Sequence, residues 1–227
     1  MQFDTPDRIS LALPDSARVA KIRESLKISA TPVRPLPSNA AIILRCALAF
    51  AILAIVFAAP VGFRGFAKLT PAGATIEYSV VLLLALILTG SALEQAIPGS
   101  RRIMPPALSV LLAILLLSVT AAVLFPDFQM RDFVRQEIPC LRFGVLCAIP
   151  AAGLAPIAMR RGFVTDPVPA AFAGGALSGL VGVGALALHC PIPNAAHIIV
   201  WHVAVIAVTS LLGASLARGV ARYRQSS

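Results

Sequence analysis

The sequence predicts an all-α integral membrane protein: a six-transmembrane-helix bundle with a cytoplasmic N-terminal tail. Three observations carry that expectation. Mean hydropathy is +0.88 and only 13% of residues are charged, whereas soluble chains carry about a quarter. Six apolar runs approach the roughly 20 residues a helix needs to cross a bilayer. The basic residues collect at the ends of those runs, more on one side than on the other. Lipid offers no partners to backbone amides, so each span has to be helical.

Residues 1–39 form the expected tail. Its opening, MQFDTPDRISLALPDSARVAKIRESLKI, has no continuous apolar core and does not read as a signal peptide. Val19, Ile22 and Leu26 recur at helical spacing among Lys21, Arg23 and Lys27. That pattern predicts a short amphipathic helix able to lie on a membrane surface or in a groove of a soluble partner. The prolines of the next segment, TPVRPLPSN, favour extended backbone.

The six spans are expected at 40–61, 78–97, 106–125, 140–159, 169–188 and 197–217, followed by a basic cytoplasmic tail at 218–227. With the N-terminus inside, fourteen of the nineteen Lys and Arg residues fall on the inner side. That asymmetry sets both termini in the cytoplasm. The outer segments are then 62–77, 126–139 and 189–196. Glu94 is the one acidic residue within a span, near its inner end and in reach of Arg101 or Arg102. The fifth span carries Gly174, Gly175, Gly179, Gly182 and Gly184, which reads as close helix packing.

Several function classes are disfavoured by the same residues. A net charge of +9 would fit nucleic acid, but the cations sit at span ends, where lipid headgroups and the positive-inside bias account for them. Direct nucleic-acid binding is therefore not expected. No H-E-x-x-H stretch occurs. Asp127, Asp132 and Glu137 lie near Arg131 and Arg135 as a solvated mixed-charge loop. No nucleophile with a neighbouring base can be identified, so the chain is not expected to be an enzyme. The lack of buried charge also makes it a poor carrier.

The remaining chemistry gathers in HCPIPNAAHIIVWH, residues 189–202, which hold all three histidines, Cys190 and the single Trp. Trp201 reads as an interfacial anchor. On an α-helix His197 and His202 point about 140° apart, which argues against their sharing one metal. Cys140 and Cys190 both fall at the outer boundary, with Cys147 two turns deeper and Cys46 near the inner face. At that boundary the first two can form a disulfide, bind a soft metal, or simply pack.

With PVRPLP at 32–37, IPGSRR at 97–102, Cys140 in IPCLRFG, HCP at 189–191 and WH at 201–202 in this order, the chain resembles the NrsF family of bacterial membrane anti-sigma factors from about Arg23 to Arg224. The resemblance implies a multi-pass protein of the bacterial inner membrane whose N-terminal segment holds an ECF-type sigma factor away from RNA polymerase. The binding element maps to about 23–37, on Leu26, Pro32, Val33, Arg34, Pro35, Leu36 and Pro37. It implies that Cys140 and Cys190 sense heavy-metal or oxidative stress, with transient soft-metal binding and no resident cofactor. His189 and His202 are secondary candidates that tune them, and no role carries over to His197. A small transporter or efflux component for soft metals is the alternative reading.

Overall fold

A computed structural model describes residues 16–29, 38–96, 104–129, 138–159, 164 and 166–226. Pro32, Val33, Arg34, Pro35, Leu36 and Pro37, expected to bind the partner, and the loop containing Arg101 and Arg102 lie outside these residues. The chain divides into two compact units, Met1–Pro37 and Ser38–Ser227. In the first, helix α1 runs Ser16–Ser29 and exposes Val19, Ile22 and Leu26.

The second unit is built from helices alone among the described residues. They are α2 (Asn39–Ala58), α3 (Pro71–Ala96), α4 (Pro106–Leu124), α5 (Ile138–Met159), α6 (Pro167–His189) and α7 (Ala195–Ser226). A 3-10 turn, Ala59–Val61, extends α2 to its expected end. Five of the six are long and apolar enough to cross a membrane; α5 supplies a shorter apolar stretch, Ile138–Leu154.

Local chemistry sets the helix starts. Ser38 caps α2 by accepting from the Ala41 N–H, and Asp166 caps α6 by accepting from Val168 N–H ahead of Pro167. These side chains satisfy amides that the first turn leaves open, and proline suits that turn because its missing N–H costs nothing there. Two boundaries differ from expectation. Helix α3 begins at Pro71 rather than near Tyr78, because Thr70 accepts from the Gly73 N–H at 3.1 Å and starts the helix early. Glu77, expected in an outer loop, therefore lies within α3. At the other end α7 continues to Ser226, so the basic residues expected in a tail are helical.

Helix α6 is the axis of the bundle. It packs against α2, α3, α4, α5 and α7, and is buried without a break from Ala173 to Ala187. Its glycines explain how so many neighbours fit. A Cβ on Gly175 would collide with the Thr209 backbone of α7, and one on Gly182 with the Gly144 carbonyl of α5. Backbones can approach this closely only where the side chain is missing.

The core is mostly apolar, with Leu84, Leu88, Leu186 and Ile206 fully buried, and the exterior is apolar as well. Leu44, Leu48, Leu82, Leu111, Leu146 and Leu211 face outward, whereas Ser178, Thr209 and Ser210 are buried. The buried hydroxyls donate to their own helices, Ser178 to Gly174 O at 2.8 Å and Ser210 to Ile206 O at 2.6 Å. A polar group withdrawn from water needs such a partner. An exterior of this kind suits hydrocarbon rather than water.

Candidate functional site

The one concentration of reactive side chains among the described residues lies where α5 begins, α6 ends and α7 begins. Cys140 is in the first turn of α5, and Cys190 is the residue that closes α6, its N–H donating to Leu186 O at 2.7 Å. Pro191 and Pro193 follow; a proline cannot donate to a helix and biases the residue before it toward extended backbone. The chain therefore leaves α6 and turns back. Asn194 restarts it, its side-chain carbonyl accepting from the His197 N–H at 2.9 Å.

Neighbouring loops hold this turn in place. Ala195 N–H donates to Asp127 O at 2.8 Å, and Asn194 Nδ2 to Gln129 O at 3.0 Å, tying it to the segment after α4. Gly65 N–H donates to Leu188 O at 3.0 Å, tying the α2–α3 connection to the end of α6. The approach requires glycine, because a Cβ at position 65 would stand 2.5 Å from Ala187 O and 2.7 Å from Cys190 O.

The start of α7 departs from α-helix in a way that decides the chemistry. Ile198–His202 is a π turn, and the Val203 N–H donates to Ile198 O, five residues back. A π turn needs an extra residue to come round, so residues five apart share a face. His197 and His202, expected to diverge by 140°, instead meet with Nε2 atoms 3.2 Å apart and rings nearly perpendicular at 77°. The two rings can therefore share a ligand role, because the helix is not regular here.

Cys140, Cys190, His197 and His202 form one group, with a donor atom from each within 4.8 Å of all the others. Sγ of Cys140 is 3.8 Å from Sγ of Cys190, and that sulfur is 3.3 Å from His197 Nε2. None of the four cysteines is joined in a disulfide. His197 is 1% exposed, His202 4% and Cys190 8%. A cavity of about 20 Å³, room for a single water-sized molecule, is lined by Lys68, Glu77, Phe125, Cys190 and His202 among others.

The sequence-derived candidates thus separate. Cys140, Cys190 and His202 come together. His189 does not join them: its Nδ1 pairs with Gly62 O at 3.1 Å and its ring packs on Phe143, with centroids 5.4 Å apart. Leu26 is exposed on α1. Cys147 is buried within α5 outside the group. Two residues at this site escaped the sequence reading. Regular helical spacing points away from His197, and the apolar run that begins at residue 78 leaves Glu77 outside it; the signal for the latter is Thr70-Pro71, a helix start seven residues before that run.

A family profile described as negative regulator of sigma F, NrsF, matches residues 26–223. No curated protein and no solved structure matches the chain.

Proposed function

The chain belongs to the NrsF family, negative regulators of sigma F, and from that membership we propose that it is a membrane anti-sigma factor controlled by the thiols of Cys140 and Cys190. The family match over residues 26–223 is the observation that carries the reading. It supports a regulatory role with a sigma factor as partner.

In this reading α5 is the fourth of six spans, and an even count returns the C-terminus to the side of the N-terminus. The bias of fourteen basic residues in nineteen supports both termini in the cytoplasm of the bacterial inner membrane. The sigma factor, of the ECF type, is held by Leu26 and the segment Pro32, Val33, Arg34, Pro35, Leu36 and Pro37. The exposed Val19, Ile22 and Leu26 of α1 leave an apolar face for a soluble partner. Cys140 and Cys190 face the oxidising side and respond to heavy metals or oxidants.

The 3.8 Å sulfur separation supports a joint response. Reversing an equilibrium from 1:99 to 99:1 takes about 5.5 kcal/mol. A disulfide or thiolate–metal bonding supplies such a difference to the extent that one arrangement of the helices holds the two sulfurs together and the other does not. The contacts from Gly65 to Leu188 and from His189 to Gly62 offer the response a path to α2, the helix that follows the tail.

The test uses the full-length protein, tagged and expressed in its native membrane. It should co-purify an ECF sigma factor, and the variant Arg34→Ala/Leu36→Ala should lose it. Cadmium or a thiol oxidant should release the sigma factor from the wild type but not from Cys140→Ser/Cys190→Ser. Failure of the wild type to retain any sigma factor refutes the function. Normal release from the double variant refutes the sensing role.

A further inference from the structure

We propose that Cys140, Cys190, His197 and His202 form a tetrahedral metal site that holds a resident dication of the zinc class. This deepens the sensing reading above, since it concerns the same end of the molecule, but it adds two ligands and an occupant that the family match does not supply.

A tetrahedral zinc ion with bonds of about 2.3 Å to sulfur and about 2.05 Å to nitrogen fixes the edges of its ligand tetrahedron. Those edges are about 3.8 Å between sulfurs, about 3.6 Å between sulfur and nitrogen, and about 3.3 Å between nitrogens. The corresponding distances here are 3.8 Å for Cys140 Sγ to Cys190 Sγ, 3.3 Å for Cys190 Sγ to His197 Nε2, and 3.2 Å for His197 Nε2 to His202 Nε2. A string of hydrogen bonds could reproduce those three contacts, but it would leave its two ends free to diverge. Cys140 and His202, the two ends, stay together instead: all four donor atoms lie within 4.8 Å of one another, so that the unfilled group is at most about 1 Å wider on its remaining edges than a filled tetrahedron.

The donor chemistry selects the ion. Two sulfurs and two imidazoles suit zinc or cadmium, whereas calcium and magnesium require oxygen. Binding releases the two thiol protons to solvent, and two thiolates then balance the charge of a dication. That neutrality matters at a site where three of the four side chains are less than a tenth exposed, because an uncompensated charge there is costly. The π turn gains a purpose: it places both Nε2 atoms on one face, as π turns often do at functional sites. A bound ion would tie α5, the end of α6 and the start of α7 into one unit.

The experiment begins with the unaltered full-length protein in detergent micelles. Elemental analysis after removal of loose metal should find one zinc per chain. Replacement by Co²⁺ should give the intense visible bands of a tetrahedral ion and a sulfur-to-cobalt charge-transfer band in the near ultraviolet. His197→Ala and His202→Ala should each weaken Co²⁺ binding at least tenfold or shift the visible bands, whereas His189→Ala should change neither. Absence of stoichiometric zinc together with an octahedral Co²⁺ spectrum overturns the proposal without recourse to any variant. A tetrahedral spectrum unmoved by both histidine variants also overturns it. Sigma-factor retention by the same preparation is scored separately. A metal-free protein that retains sigma factor refutes only the site, and a zinc-loaded protein that retains none refutes only the anti-sigma reading.

Discussion

Helices α6 and α7 meet twice, and the two meetings are built from opposite materials. Midway along, Gly175 and Gly179 bring the α6 backbone against Thr209 and Ile206. At their joined ends, Cys190, His197 and His202 crowd together with Cys140 from α5. The first contact needs a regular helix, because one missing side chain per turn has to keep facing the same neighbour. The second needs an irregular one, because only a π turn sets His197 beside His202. A single extra residue in α7 therefore serves the reactive end while leaving the packed middle in register.

Shortening α7 separates the two ends most sharply. Removing Val208 from the regular part turns everything after it by about 100°, which carries Thr209 and Ser210 away from Gly175. That deletion should abolish folding, read as loss of monodisperse protein in detergent. Removing Val200 from the π turn should instead convert it to an α turn, with the two histidines four apart and still on one face. This protein should fold and keep its melting temperature within a few degrees, since Val200 is already 39% exposed. Equal damage from both deletions would mean that the π turn does not act as a one-residue insertion.

The glycine contact should give the next largest effect. Gly175→Leu drives a side chain into the α7 backbone and should destabilise by about 3 kcal/mol or more, at the upper end for overpacking. Gly153→Leu, with nothing within 4 Å of its Cβ position, should change stability by less than about 1 kcal/mol. Chemical denaturation in mixed micelles compares the two.

Smallest is the outward face. Leu111 is 60% exposed and Ile206 fully buried. Leu111→Ala should fall within about 0.5 kcal/mol of the wild type, and Ile206→Ala should cost about 2–5 kcal/mol. Similar losses from both would indicate that Leu111 is covered by protein rather than by lipid.

The same contrast explains what could be read from the sequence. Each of the six apolar runs coincides with a helix, because hydropathy and helical geometry are local properties of the chain. Gly175 and Gly179 were legible as close packing for the same reason. The early start of α3 was less so: Glu77 looked like loop, and only the Thr70 cap shows that the helix begins before the apolar residues do. The proximity of Cys140 and Cys190 was legible from their places at the ends of two apolar runs. His197 was not, because its position depends on a backbone register that apolar periodicity does not encode. Nor was the fate of His189, whose partner Gly62 lies 127 residues away.

Co-sedimentation of an ECF sigma factor with vesicles containing the full-length protein measures the regulatory claim most directly. Sigma factor should pellet with those vesicles, stay in solution with protein-free vesicles, and return to solution when cadmium or a thiol oxidant is added. Sigma factor that stays in solution whether or not the protein is present would contradict the account.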